Sequence, residues 1–311
     1  MKINNVGIIG IGSYYPKKIL TNKDIDLLGN NTNDQWTRDK LGIEERRIVE
    51  NENPSDLAYY AALNAIQDAK INKEDIDLII LATSSPDRIS PSTAIIMAKR
   101  LAIKKPAFDI NAVCTGFIYG MQLATNLIST KQYKNILLVG ADAYSKITDW
   151  KRRDCIFFGD GAGAIILSEI NGGWISTDLY GDPNGKEAFT CHHSGKFQMD
   201  GKAVYDFGTN ILPLTIKNSL KNLNINKEEI AWIIPHQPGH RVLLKMAEIL
   251  DFPIDKIVFN MTKFANTAGA SIPMALDSLY KNDKIKTGDI LVMPAIGSGW
   301  TYGVSVLKYI K

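Results

Sequence analysis

Two patterns alternate along this chain: short continuous apolar runs, and longer stretches whose apolar residues recur three and four apart. Ile76 to Thr83 is apolar on both faces, which predicts a strand covered on both sides, and Asp56 to Ala69 before it repeats at helical spacing. The alternation continues with a helix over Thr93 to Leu101, a strand over Ala107 to Ala112, a helix over Cys114 to Ser129, and strands over Asn135 to Ala141 and Ala162 to Ser168. Val6 to Tyr14 supplies an opening strand. Thr21 to Asp24 has the chemistry of a helix cap, and Asn33 to Trp36 opens a polar helix carrying Arg38 and Lys40. Strands joined through helices predict right-handed crossovers and a mostly parallel sheet.

The second half repeats the first. Ile230 to His236 stands where Ile76 to Ser84 stood, and Ile257 to Asn260 followed by a helix from Ala268 answers Phe108 and the Cys114 helix. Asp289 to Ala295 answers Asn135 to Ala141, and Tyr302 to Tyr309 answers Ala162 to Ser168. Four matches in one order, at offsets of about 140 to 155 residues, predict an α/β fold of two duplicated βα halves, 1–170 and 171–311. Those halves are expected to pack as one body, with the helices after matched strands meeting in the middle. Asn171 to Gly208, rich in glycine and turn residues, reads as the connection and a surface loop over the site.

Composition acts mainly by exclusion. With 45% hydrophobic and 22% charged residues the chain is ordinary for a soluble globular protein, and a net charge of +3 is too small to predict a nucleic-acid partner. Cys114, Cys155 and Cys191 make neither an even framework nor a CxxC pair, no charged-then-apolar leader precedes the first strand, and the longest apolar runs are strand-sized. These features predict a cytoplasmic protein with no membrane span. Gly10-Ile11-Gly12 is discounted as a dinucleotide loop because Pro16 follows where a phosphate-binding helix would open, and Gly159 to Ala164 leads into a strand, so it reads as a tight turn.

Few residues are left to carry chemistry. Cys114 stands between an apolar strand and a helix, where unpaired N–H groups and the helix dipole favour a thiolate; it reads either as a nucleophile or as a small core residue. His236 closes a strand at its carboxyl end, the place where open α/β sheets put ligands. His240 reads as a surface residue at a helix start, and His192 and His193 as neighbours in a solvated loop rather than a metal site. Asn266 opens a helix of small residues and is either a cap or a polar group facing Cys114. Ile296 to Trp300, with its glycines, is either a simple turn or a backbone cradle for an oxyanion.

Cys114 in Ala112-Val113-Cys114-Thr115-Gly116-Phe117, His236 in Pro235-His236-Gln237, Asn266 in Asn266-Thr267-Ala268-Gly269-Ala270-Ser271, and Gly159 to Ala164, in this order, resemble the β-ketoacyl-acyl carrier protein synthase III family of the thiolase superfamily. The likeness extends to Trp36–Arg46 and Gly297–Gly303. It implies a thiolase-like fold with layers α-β-α-β-α and a decarboxylative Claisen condensation of an acyl-coenzyme A primer with malonyl-acyl carrier protein, without a metal or bound cofactor. By the resemblance, Cys114 carries the acyl group, His236 and Asn266 promote loss of CO2, and the backbone N–H groups of Cys114 and Ser298 hold the oxyanion. Trp36 and Arg153 would sandwich the adenine of coenzyme A, Lys40 would lie near its phosphates, and Arg241 with Lys245 would face the acidic carrier protein. A homodimer is implied as well, paired through the central sheet, each copy reaching its neighbour's pocket with the loop that holds Ser90.

The chain departs from the family pattern at several of these places. Pro238-Gly239 replaces the usual Ala-Asn after His236-Gln237, Glu248 and Ile249 stand where a basic pair is common, and Ser298 replaces a glycine. Ser90 replaces an aromatic residue of the acyl pocket, so a longer or branched primer is expected to fit. Two other functions stay open on the sequence: transfer of the acyl group to an amine, alcohol or β-keto acid, and a non-catalytic relative that binds carrier proteins.

Overall fold

The computed structural model describes residues 4–192 and 195–311. Strand β1 (Val6–Tyr14) and the short β2 (Ile19–Thr21) lead into α1 (Asn22–Asp26), which Thr21 and Asp24 close with a reciprocal capping box. Asn33 caps α2 (Asp34–Leu41) by accepting from Trp36 N–H at 2.8 Å, and β3 (Glu45–Arg47) pairs back on β2. There follow α3 (Pro54–Ala69), β4 (Leu78–Ala82), α4 (Thr93–Leu101), β5 (Ala107–Ile110), α5 (Gly116–Ser129), β6 (Asn135–Ala143) and β7 (Asp160–Glu169). The chain continues with β8 (Trp174–Gly181), a hairpin of β9 (Phe189–Thr190) and β10 (Gln198–Met199), and α6 (Gly201–Leu223). It finishes with β11 (Ile230–Ile233), α7 (His240–Leu250), α8 (Met261–Phe264), α9 (Ser271–Lys281), β12 (Ile290–Gly297) and β13 (Thr301–Lys308).

These elements stack in five layers because each sheet is apolar on both faces. Helices α3 and α4 cover one face of the first sheet, with Leu57, Ala61, Met97 and Leu101 packed on Ile79, Leu81 and Leu137. Helices α6 and α7 cover the far face of the second through Leu212, Ile216, Leu243 and Met246. Between the sheets lie α5 and α9, whose Phe117, Met121, Ile272 and Leu276 join both sheets in one buried cluster. The first sheet runs β1-β7-β6-β4-β5, and the second, β8-β13-β12-β11, follows the same order. In both, the first three strands are antiparallel neighbours and the next pairing is parallel.

The sheets are therefore mixed rather than mostly parallel. No α-helix separates β6 from β7 or β12 from β13, only short 3-10 turns, so the chain reverses there and pairs antiparallel. Ile257 to Asn260 forms one parallel bridge, Ile257 to Ile233, before the chain turns into α8. The supposed connection after residue 171 contains β8, whose Ser176, Thr177 and Asp178 hide the apolar pattern, and the start of α6. Of Gly159 to Ala164, residues 160–164 begin β7 and Gly159 immediately precedes it, rather than forming a tight turn. His193 lies outside the described residues.

Candidate active site

The last residues of β5 hand the chain to α5 through a 3-10 turn, Val113–Thr115, and Cys114 stands at its centre. Val113 holds a left-handed backbone conformation, φ 50°, which a β-branched side chain rarely adopts. Thr115 secures the turn by donating its hydroxyl to Ala112 O at 2.6 Å and its N–H to the same oxygen at 3.1 Å. From the second half, His236 follows β11, where its N–H donates to Pro294 O at 2.9 Å. Asn266 is tied to the first half by two backbone bonds: its N–H donates to Phe157 O at 3.1 Å, and Gly159 N–H donates to Asn266 O at 3.0 Å.

These three side chains line one cavity of about 40 Å³, walled by Val113, Phe157, Phe158, Phe189, Ile296 and Trp300. All three are buried. Asn266 Oδ1 accepts from Ala268 N–H at 2.8 Å, which orients the amide. Thr267 Oγ1 donates to Ser271 Oγ at 3.4 Å, and Ser271 Oγ lies 3.2 Å from His236 Nδ1; a Ser271 hydroxyl that donates to Nδ1 leaves the ring proton on Nε2. Ser298 belongs to the same cavity, its hydroxyl donating to Phe189 O at 2.6 Å. Gly297 lets this loop approach Cys114, for a Cβ there would meet Thr301 Oγ1 at 2.8 Å and Cys114 N at 3.3 Å.

The electrostatics correct one expectation. Burial pushes the Cys114 thiol far above its ordinary value, and the nearby Asp142 carboxylate adds to this, so desolvation outweighs the helix N-terminus in the resting site. His236 moves the other way, held down to about 3 by burial against the opposing hydrogen bond with the Ala268 backbone. It is a neutral imidazole at physiological pH.

Phe157, Val204 and Pro238 are shared with an outer hollow of about 170 Å³ that carries Trp36, Lys40 and Arg241 at its mouth. The outer hollow thus adjoins the Cys114 cavity, with these three side chains between them. The Arg153 guanidinium lies 3.9 Å over the Trp36 ring, so a base sandwiched between them has first to part them. Lys245 does not stand free: its Nζ pairs with Glu248 at 2.7 Å. His240 starts α7 as expected but is half-buried, its ring 5.1 Å from that of Phe259. Ser90 is exposed and is not among the residues lining the Cys114 cavity of its own chain.

Several features escape sequence reasoning. Val113, Ala265, Ala268 and Trp300 all have φ near 43–54° without being glycine, and they flank Cys114, Asn266 and Ser298. Strain of this kind collects at functional sites, but side-chain identity gives no sign of it. Tyr144, Phe158, Phe189 and Phe197 pack as an aromatic cluster against Cys114. Their spacing in the chain conceals this. Among the described residues no group of His, Cys, Asp and Glu could hold a metal ion, and no helix is long and apolar enough to cross a membrane.

A duplicated five-layer fold whose two halves bring a thiol, an imidazole and a carboxamide to one buried cavity defines a thiolase-like condensing acyltransferase. Comparison with known proteins narrows the class. Residues 108–183 match 3-oxoacyl-[acyl-carrier-protein (ACP)] synthase III, and residues 220–309 match its C-terminal counterpart. The β-ketoacyl-[acyl-carrier-protein] synthase III of Clostridium acetobutylicum is 40% identical, the alignment covering 99% of this chain and 100% of the relative; that of Wolbachia pipientis from Culex pipiens is 42% identical over 97% and 98%. The crystal structure of 3-oxoacyl-[acyl-carrier-protein] synthase III from Aquifex aeolicus superposes with a TM-score of 0.95 at 36% identity, covering 98% of this chain and all of that one. The chain belongs to the 3-oxoacyl-[acyl-carrier-protein] synthase III family.

Proposed function

We propose that this chain condenses an acyl-coenzyme A primer with malonyl-acyl carrier protein, with Cys114 as the acylated nucleophile and His236 and Asn266 as the donors that promote decarboxylation. The observation that carries this is the convergence of the three side chains, from two halves of the fold, on one buried, largely apolar cavity. A thiolate accepts and releases an acyl group readily. When the C–C bond of the malonyl thioester breaks, CO2 leaves and its electron pair becomes an enolate, whose oxygen is stabilised by fixed neutral donors. A neutral imidazole with its proton on Nε2 and an amide held through its Oδ1 suit that task. The backbone N–H groups of Cys114 and Ser298, brought close by Gly297, suit the tetrahedral oxyanion.

Trp36, Arg153, Lys40 and Arg241 around the outer hollow support coenzyme A and carrier-protein binding at that mouth. The pairing of Lys245 with Glu248 argues for a small share in it. A cavity of about 40 Å³ holds roughly three water-sized groups, which favours a short primer despite the small Ser90. The protein is read as cytoplasmic, since all three cysteines are free thiols. It is read as a homodimer, with an unpaired strand at the edge of the first sheet. The boundary at residues 170 and 171 falls in the loop between β7 and β8, which suits the two halves.

The test is intact-protein mass spectrometry of wild type and Cys114→Ala after exposure to a panel of acyl-coenzyme A thioesters, chased with malonyl-acyl carrier protein. A short acyl mass on wild type alone, removed by the chase with release of CO2, is the expected result. Loading that malonyl thioester never discharges would show transfer to another acceptor. Absence of loading across the panel, with the carrier protein bound, would make the chain a binding relative.

A further inference from the structure

Asp142 is fully buried at the end of β6, and the chemistry described so far gives it no part. One of its oxygens is saturated: Oδ1 accepts from Ser84 N–H at 2.9 Å and Ser85 N–H at 3.0 Å, and from the hydroxyls of Thr83, Ser84 and Ser85 at 3.1, 3.2 and 2.8 Å. The other oxygen reaches across to the second half, where Oδ2 accepts from Gly269 N–H at 2.9 Å. Gly269 is the centre of the 3-10 turn Ala268–Ala270. The first N–H of that turn, from Ala268, holds Asn266 Oδ1 at 2.8 Å. Ala268 itself sits at φ 46°, a conformation an alanine keeps only when its surroundings impose it. Gly140, two residues before Asp142, lies directly against the turn, since a Cβ there would be 2.2 Å from Gly269 O.

We propose that Asp142 is a positioning residue for decarboxylation: by anchoring the Ala268–Ala270 turn to the first half, it aims the Asn266 amide at the thioester oxygen. This rests on the reading of Asn266 given above. Burial raises the Asp142 carboxyl above its ordinary value, and the six donors around it work against that rise. Asparagine at the same place keeps an acceptor for the Thr83 to Ser85 loop but turns an amide NH2 toward Gly269 N–H, donor against donor. The turn then loses its side-chain link to the first half, and the Asn266 amide loses its aim. Loading of Cys114 is a separate step and does not pass through Asn266.

The experiment compares wild type, Asp142→Asn, Asn266→Ala and the double variant, each confirmed folded by circular dichroism. Acyl loading on Cys114 and CO2 release from malonyl thioester are measured separately. Asp142→Asn is expected to release CO2 about 30-fold more slowly. Its loading is expected to be unchanged or faster, because a negative charge beside the thiol is gone. The double variant should fall no further than Asn266→Ala alone, the mark of two residues acting through one group. A normal rate of CO2 release in Asp142→Asn overturns the proposal, as do equal losses in loading and decarboxylation or losses that multiply in the double variant. Normal decarboxylation by Asn266→Ala would instead overturn the reading of Asn266, and this proposal with it. Should Asp142→Asn not fold, Thr83→Val removes a single donor from Oδ1 and is expected to give the same split with a smaller, about threefold, loss; no split there also overturns the proposal.

Discussion

Burial that holds His236 down to about 3, against 6.5 for an exposed imidazole, makes the fold sensitive to pH. Between those values the unfolded chain binds a proton at this residue and the folded chain does not. Its contribution is therefore complete above pH 6.5 and is lost as pH falls toward 3, by about 1.4 kcal/mol per unit. Asp160 runs in the opposite sense, because burial raises it from 3.8 to about 6 and the folded state then holds its proton more tightly across that window. The two slopes oppose each other from pH 4 to 6, so the histidine has to be read as a difference. Urea unfolding of wild type and His236→Gln at pH 6.5 and 4.5 should show the wild type losing about 2 to 3 kcal/mol more than the variant. Parallel losses would mean that the folded site protonates His236 freely, and that it is not the neutral donor proposed for the enolate.

At the scale of elements, a single methyl group tests how closely the closing loop must approach the nucleophile. Gly297 has φ −144°, open to any residue, so Gly297→Ala acts through space alone. Its Cβ would push against Thr301 Oγ1 and the N–H of Cys114, shifting Ser298 away from the oxyanion position. Overpacking of this kind costs about 1–3 kcal/mol. A modest fall in Tm with a much larger fall in the rate of Cys114 acylation is expected; an unchanged acylation rate would remove the Ser298 loop from the oxyanion hole. The need for this glycine was only half legible in the sequence, where Ile296 to Trp300 also fits a plain turn. Long periodic elements were read well: α4 falls on Thr93–Leu101 as the pattern predicts, and Ile76 to Thr83 holds β4 at its centre. Pairing direction was not legible, since apolar runs look alike in either sense and only the absence of an α-helix between β6 and β7 hinted at reversal. Strand β8 was missed because Ser176, Thr177 and Asp178 break its apolar run, and Ser176 and Thr177 pair with Val306 and Ser305 of β13 nonetheless. Cys114, His236 and Asn266, which share one cavity, each stand at an element end, but the residues alone leave Cys114 open as core and Asn266 open as a cap, and it is the family resemblance that singles the three out together. The bond from Gly269 to Asp142 and the left-handed backbone at Val113 and Ala268 leave no such mark in the sequence, because they arise from contacts between distant segments.

The whole molecule poses the question of what covers the first sheet's outer edge. Strand β5 pairs with β4 on one side only, and it ends the sheet order. Phe108 on this strand is 37% exposed, and Ile95 and Ile89 nearby in the chain are 43% and 85% exposed. Soluble proteins blunt such edges with charge or proline, and β5 carries only Asp109, whose carboxylate is already used to accept from Thr93 N–H and Ala94 N–H at 2.7 Å. A second copy adding its own β5 across a two-fold axis would satisfy the edge and bury these side chains. The loop from Pro86 to Ser90 would then lie at the seam, beside a hollow of about 630 Å³ lined by Ser84, Asp109 and Asn111, where Ser84 Oγ meets Tyr144 of the aromatic cluster behind Cys114 at 2.9 Å. Light scattering at micromolar concentration should give twice the monomer mass for wild type. Phe108→Lys places a charge on the exposed edge and should give the monomer with little change in Tm, because the side chain is not part of the monomer's core. Acylation of Cys114 should weaken with it, since the seam abuts the cluster that shapes the primer's space. A wild type that is monomeric at that concentration would leave the edge to some other partner and the site complete within one chain.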